Sequence, residues 1–393
     1  MSTRQIAPGI YSVGVNDRET DLFEGMWPLP NGVSYNAYLV VGERVALIDT
    51  VKRPFVDELV ANVSQVIDPR RLDFLVANHL EPDHAGGLAT LHRLAPQAEI
   101  IVTPRGRSIL EHMHGVTERV REVSNGENVD LGGKELSFHH IPFVHWPETM
   151  ATYETTHGVL FSADAFGGFG ALDGVLGDDQ VNVSTYQDEI LRYFSNIVGM
   201  HSRPVLRAID ALAELTVNQI APAHGLIWRE NPRRVIDLYA RWARMEGEPE
   251  VTLVYGSMYG RTRLAAEAAA QGVADEHVPV KIIDASRTHA SYIVRDVWKR
   301  RGVILAAPTY DAGVFPPLDH ALNLLERKRL RNRAAGLLGS YGWQGGALTK
   351  LEQRVRALGW ELVDVHGYPG QPSEQDMDAA RQVGRQVARG AAA

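Results

Sequence analysis

Apolar and polar positions follow one pattern up to about residue 245 and another beyond it. In the first stretch, short apolar runs alternate with amphipathic segments. Residues 36–41 and 45–50 read as a hairpin around Gly42-Glu43-Arg44. Residues 74–78, 100–104, 136–141 and 159–162 read as further strands. Residues 186–198 and 205–215 carry apolar side chains at helical spacing, and 218–221 is a last strand. Met245-Glu246-Gly247-Glu248-Pro249-Glu250 is short, charged and broken by Gly and Pro, which marks it as a linker. The pattern predicts two domains, residues 1–248 and 249–393.

After the linker the strands are apolar on both faces. Predicted strands at 251–255, 280–285, 302–307, 335–339 and 361–366 alternate with helices near 263–272, 292–299, 318–327 and 349–358. Buried strands separated by helices predict a doubly wound parallel sheet. No internal repeat is present, and the only compositional bias is the Ala-rich end.

Length supports two domains, since 393 residues exceed one ordinary core. The net charge of −8 argues against nonspecific nucleic-acid binding. With no cysteine, these residues offer no disulfide, thiolate zinc site, iron–sulfur cluster or Cys nucleophile. Any metal must be held by His and carboxylates. No apolar run is long enough to span a bilayer and the first residues lack a signal-peptide core, so a cytoplasmic protein is expected.

His79-Leu80-Glu81-Pro82-Asp83-His84 carries the chemistry. Four of its six side chains bind metals, and crowding them is costly without a cation. The donors suit zinc, iron or manganese, and two adjacent metals could share them. Three further candidates follow predicted strands, where α/β sheets place their chemistry: His145, Asp164 and His224. His139, His140, His157 and His201 read as packing residues.

The order His-x-Glu-x-Asp-His, His-Trp-Pro, Ser-x-Asp-x-Phe and Pro-x-His-Gly resembles metallo-β-lactamase-like domains. With Glu81 and a following flavodoxin-like domain, the chain resembles the flavodiiron proteins (A-type flavoproteins) from Tyr35-Asn36-Ala37-Tyr38-Leu39 to the last strand. The resemblance implies an αββα domain followed by a flavodoxin-like parallel-sheet domain. It assigns one iron to His79, Glu81 and His145, the other to Asp83, His84 and His224, and a bridging role to Asp164. Zinc hydrolases of this fold usually carry His in place of Glu81. A carboxylate there adds a negative oxygen donor, which favours iron and its higher oxidation state. Where many relatives have Phe-His-Gly, this chain has Phe23-Glu24-Gly25, so Glu24 is a candidate acid or extra ligand. Tyr193 matches a Tyr that lies near the irons in relatives.

Ser257-Met258-Tyr259-Gly260-Arg261-Thr262 joins a predicted strand to a helix, as a phosphate cradle does. It departs from the common Ser/Thr-x-Thr-Gly-Asn-Thr pattern at Tyr259 and Arg261. Pro308-Thr309-Tyr310-Asp311 and Ser340-Tyr341-Gly342-Trp343-Gln344-Gly345 follow later strands. In a flavodoxin-like sheet these three loops meet where FMN binds, with Tyr310 and Trp343 flanking the ring. The resemblance then implies an oxidoreductase that passes electrons from FMN to two iron ions and reduces dioxygen to water or nitric oxide to nitrous oxide. It also implies a head-to-tail homodimer or a dimer of dimers. The donor must be separate: a rubredoxin, a flavin reductase or reduced deazaflavin. The competing readings are a zinc-dependent hydrolase fused to a flavin module and an FMN-based redox sensor.

Overall fold

In the computed structural model, which describes residues 3–172 and 174–393, the chain separates into two packed units. The first runs to Phe194 and resumes over His201–Ala240; the second takes Ser195–Met200 and Arg241–Ala393.

The first unit holds a seven-stranded sheet ordered Arg4–Ala7, Ile10–Ser12, Tyr38–Val41, Val45–Ile48, Phe74–Val76, Glu99–Val102 and Val120–Glu122. A five-stranded sheet follows: Asn128–Asp130, Glu135–His140, Met150–Glu154, Val159–Phe161 and Gln219–Ala221. Tyr38, Ile48 and Val76 of the first sheet share a core with Phe138, Phe161 and Ala221 of the second. Alternate strand residues point to opposite faces. Ala46 and Ile48 enter this core, yet Leu47 between them is also buried, so the outer face is covered too. Helices such as Val56–Ser64 and Gly106–His114 connect the strands. The layering is the expected αββα arrangement.

Strand direction sets where the chemistry lies. Val45–Ile48, Phe74–Val76 and Glu99–Val102 run parallel, with Ile48 opposite Val76 and Val76 opposite Ile101. Asp49 and the His79 run therefore leave the same edge. Val159–Phe161 and Gln219–Ala221 are also parallel, with Phe161 opposite Ala221, so Asp164 and His224 leave together.

In the second unit, parallel strands are ordered Val280–Asp284, Glu248–Tyr255, Arg300–Tyr310, Ala334–Tyr341 and Glu361–Pro369, with Gly313–Val314 folding back on the third in sequence. This is the 2-1-3-4-5 order of flavodoxin-like sheets. The strand Glu248–Tyr255 begins inside the charged stretch expected to be a linker. That stretch is held in place: Arg333 donates to the carbonyls of Met245 (2.9 Å), Val297 (2.9 Å) and Trp298 (2.6 Å). Burial, and then Arg301, push the Arg333 pKa down to about 9, while carbonyl dipoles stand in for a carboxylate.

Sequence periodicity did not single out the last helix, Glu374–Ala392. It starts with a capping box, in which Asp376 N–H donates to Ser373 Oγ (3.2 Å) and Ser373 N–H to Asp376 Oδ2 (2.8 Å). Its buried face, including Val383 and Val387, packs on the helix Arg261–Asp275. Glycine sets the approach. A Cβ at Gly384 would lie 2.0 Å from the Ala269 carbonyl, and one at Gly272 2.0 Å from the Arg381 carbonyl.

Because both obstructions are backbone, Gly384→Val must separate the helices. We expect the unfolding transition of the second unit to lose at least ~2 kcal/mol in guanidinium titration. An unchanged midpoint would contradict the packing.

Candidate metal centre and flavin cleft

The His79 run divides its side chains by a local change of backbone. Glu81, with extended backbone (φ −63°, ψ 143°), ends the non-helical lead-in that also carries His79. Pro82 then starts the one-turn helix Pro82–Ala85, which turns Asp83 and His84 elsewhere. Two donor groups result: His79, Glu81, His145 and Asp164 in one, and Asp83, His84 and His224 in the other, the atoms of each group within 4.8 Å of one another.

Asp164 reaches both. Its Oδ2 lies 3.3 Å from His79 Nε2 and 3.5 Å from His145 Nε2. Its Oδ1 lies 3.3 Å from His84 Nε2 and 3.4 Å from His224 Nε2. Glu81 Oε2 approaches His145 Nε2 at 3.0 Å and His79 Nε2 at 3.3 Å. Asp83 Oδ2 is 3.4 Å from both His84 and His224 Nε2. Tyr193, the last residue of the helix Ser184–Tyr193, donates its hydroxyl proton to Asp164 Oδ1 (2.7 Å).

Burial opposes charge on each group, and the neighbours overrule it. Burial would lower the His79 pKa, yet Asp164 and the hydrogen bond to Glu148 hold it well above the usual imidazole value. Against the same burial, Asp83 and Asp164 raise His84 to about 9. Burial would raise the Glu81 carboxyl, but His145 and His79 pull it down to about 2. Burial and Asp164 hold the Tyr193 phenol well above its usual value, so it stays a donor. Satisfaction is incomplete even so. Both Asp83 oxygens, His84 Nε2, His224 Nε2 and Asp164 Oδ2 are buried without a hydrogen-bond partner. Such atoms cost free energy unless compensated. Four imidazoles and three carboxylates, split by one shared carboxylate, fit two first-row divalent or trivalent cations.

Other residues aim the rings. His79 Nδ1 donates to Glu148 Oε1 (2.8 Å), which also accepts from Leu80 N–H (3.1 Å). His224 Nδ1 donates to the Ser34 carbonyl (2.7 Å). These bonds leave each Nε2 facing the cluster. Asn36 straps the turn that carries His224, donating from its side chain to the carbonyls of Pro222 and Gly225 at 2.9 Å. Asp49 Oδ1 accepts from Asn78 N–H (2.8 Å) behind the run. Glu148 was visible in the sequence only as part of His145-Trp146-Pro147-Glu148. A carboxylate that close to a metal-type His was the available signal.

Glu24 sits in an exposed turn with φ 51°, its Oε2 accepting from Trp27 Nε1 (2.9 Å), and belongs to neither donor group. His139, His140, His157 and His201 are also outside both groups.

In the second unit, a cleft of about 510 Å³ opens at the carboxyl ends of the strands. Ser257, Met258, Tyr259, Arg261 and Thr262 form one wall, Pro308, Thr309, Tyr310 and Asp311 another, and Ser340, Tyr341, Gly342, Trp343 and Gln344 a third. Ala312 and Gly370 line it as well. Gly260 and Gly345 do not line it. Gly260 instead caps the helix Arg261–Asp275 at φ 87°, a conformation that favours glycine. Thr262 and Ser340 hydroxyls meet at 2.9 Å beneath the loop. Tyr310 and Trp343 are 44% and 94% exposed, available to flank a planar ligand, and Tyr259 is exposed in the first loop. A helix N-terminus under an open cleft with aromatic sides fits a phosphorylated flavin.

A family model described as ODP family beta lactamase matches residues 33–225, and one described as Flavodoxin matches residues 253–384. The chain is 35% identical to a nitric oxide reductase of Moorella thermoacetica, across 98% of this chain and 97% of that protein. It is 36% identical to an anaerobic nitric oxide reductase flavorubredoxin of Escherichia coli O1:K1, across 97% of this chain and 81% of that protein. Among solved structures, rubredoxin oxygen:oxidoreductase of Desulfovibrio gigas superposes with a TM-score of 0.95 at 30% identity, covering 99% of this chain and 98% of that one.

Removing the Glu148 carboxylate should cost metal without unfolding the protein. We expect Glu148→Ala to weaken metal binding by roughly 10- to 100-fold in a chelator competition. Unchanged affinity would show that His79 needs no such support.

Proposed function

This chain belongs to the flavodiiron proteins, and on that premise we propose that it passes electrons from FMN to a pair of iron ions and reduces dioxygen to water, nitric oxide to nitrous oxide, or both. The observation that carries this reading is Glu81 beside a carboxylate, Asp164, whose two oxygens face separate donor groups. Glu81 argues against a zinc hydrolase fused to a flavin module, since zinc hydrolases of this fold usually carry His at that position. A redox sensor whose metals only stabilise the fold would consume neither gas, which the rapid-mixing test below decides.

In this reading His79, Glu81 and His145 hold one iron, Asp83, His84 and His224 the other, and Asp164 both. When bound, FMN and the iron pair would supply redox chemistry, the flavin exchanging electrons in twos or ones and the metals singly. Glu148 and the Ser34 carbonyl keep the His79 and His224 rings aimed. Tyr193 keeps its proton and points a hydroxyl at Asp164, which sets the orientation of that carboxylate. The loop 257–262 would hold the flavin phosphate, Arg261 adding a positive charge, while Tyr310 and Trp343 would flank the ring. Glu24 is a solvent-side acid that can relay protons to the site mouth.

The electron donor is a separate protein or cofactor: a rubredoxin, a flavin reductase or reduced deazaflavin. The working form is a head-to-tail homodimer, or a dimer of such dimers, in which the flavin of one chain serves the metals of its partner. Family resemblance supports that arrangement.

Rapid mixing of chemically reduced protein with dioxygen and with nitric oxide tests the reaction. Flavin reoxidation and gas consumption are expected with at least one; indifference to both would sink the proposal. Glu81→His should lower iron content and gas reduction together, and intact values for both would refute the role given to Glu81. A variant shown by light scattering to be monomeric should keep FMN but lose turnover. Full turnover in such a monomer would exclude the dimer reading.

A further inference from the structure

A cleft of about 330 Å³ in the first unit is not used by this scheme. Arg18, Asn31, Thr185 and Glu189 make its walls polar. Phe169 also lines it, although that residue is only 1% exposed. Behind Phe169 lies the metal cluster's own aromatic lining. The Phe169 ring stands edge-on to Tyr193 at 5.1 Å and to Phe23 at 5.3 Å between centroids. Those two rings meet His224 at 5.5 and 5.4 Å. One aromatic layer thus separates a wet cleft from the donors.

The chain follows the same route. Asp164-Ala165-Phe166-Gly167-Gly168-Phe169-Gly170 begins at the shared carboxylate and ends at the cleft. Close packing demands the inner glycines: a Cβ at Gly168 would lie 2.7 Å from Ile190, and one at Gly167 3.1 Å from the His224 carbonyl. Gly170 differs. It has φ 112°, which favours glycine, and its N–H donates to the carbonyl of Gly32 in the cleft wall (3.2 Å), so the backbone beside Phe169 is held and any opening falls to the Phe169 side chain. The ring is held closed by Arg192, whose guanidinium lies 4.5 Å over its face. Arg192 is in turn gripped through Nε by Glu189 (2.9 Å), a residue of the cleft wall.

We propose that this cleft is an entry path for the diatomic gas substrate, with Phe169 as its inner gate and the Glu189–Arg192 pair as the latch. The proposal rests on the gas-reductase reading above. Dioxygen and nitric oxide are small, weakly hydrated and apolar, so they pass an aromatic layer that stops hydrated ions. Displacement of one ring suffices, a motion available to side chains on fast timescales.

Xenon is the probe of the path, being apolar, monatomic and visible in crystals. Crystals of the cofactor-loaded protein under xenon pressure should show an atom against Phe169 at the inner end of the cleft. Rapid-mixing kinetics supply the second readout. Phe169→Trp enlarges the gate, and Thr185→Trp fills the cleft from an exposed helix position that leaves the core untouched. Thr185→Trp should raise the KM for the gas about fivefold with kcat at saturating gas unchanged, and Phe169→Trp should raise KM at least as much. The path is overturned if xenon is absent there, or if the KM of Thr185→Trp stays within about twofold of the parent. Wild-type protein that reduces neither gas would instead overturn the parent reading, a distinct outcome because xenon occupancy is read without turnover.

Discussion

Asp164 presents its two oxygens to two different sets of donors, and most of the first unit exists to make that possible. Its Oδ2 faces His79 and His145 while Oδ1 faces His84 and His224. The sharing is feasible only because two sheets end at a common edge. Parallel pairing of Phe74–Val76 with Val45–Ile48 brings out the His79 run, and parallel pairing of Val159–Phe161 with Gln219–Ala221 brings out Asp164 beside His224. A slip of one residue in either register would turn a donor into the core.

The cost of this arrangement explains the scaffolding around it. Seven ionisable side chains in a buried space repel or leave atoms unsatisfied unless cations intervene. The surrounding groups therefore fix geometry more than charge. Glu148 holds His79, the Ser34 carbonyl holds His224, Asn36 straps the following turn, and Tyr193 holds Asp164. The bonds to His79 and His224 each select one ring tautomer, and the bond from Tyr193 selects one orientation of the Asp164 carboxylate, before a metal arrives. The flavin cleft is built on the opposite principle. Its aromatic rim is exposed, and one wall is the loop that leads into a glycine-capped helix.

The donors were legible because chemistry concentrates in sequence at strand ends. His79, Glu81, Asp83 and His84 are nearly contiguous, and His145, Asp164 and His224 each follow an apolar run. The three flavin loops were legible for the same reason. What sequence did not reveal depends on packing. Glu148 looks like any Glu until it is seen to be buried behind His79. The Ser34 carbonyl carries no side-chain signature. The charged stretch around Gly247 reads as a tether, yet Arg333, far along the chain, donates to its Met245 carbonyl within the second unit. The Ala-rich end reads as compositional bias, although Ser373 and Asp376 supply a capping signal for a helix whose small residues permit close approach. Glu24 reads in the sequence as a candidate acid or extra ligand, but its carboxylate turns to Trp27 in an exposed hairpin.

The shared carboxylate is the claim on which the rest stands, and magnetic spectroscopy of the iron-loaded protein tests it most directly. Mössbauer and EPR spectra, read together with iron per chain, should show two irons whose spins are coupled through a common bridge, with coupling weakened in Asp164→Asn. One iron per chain, or two irons with independent high-spin signals in the unaltered protein, would contradict the account.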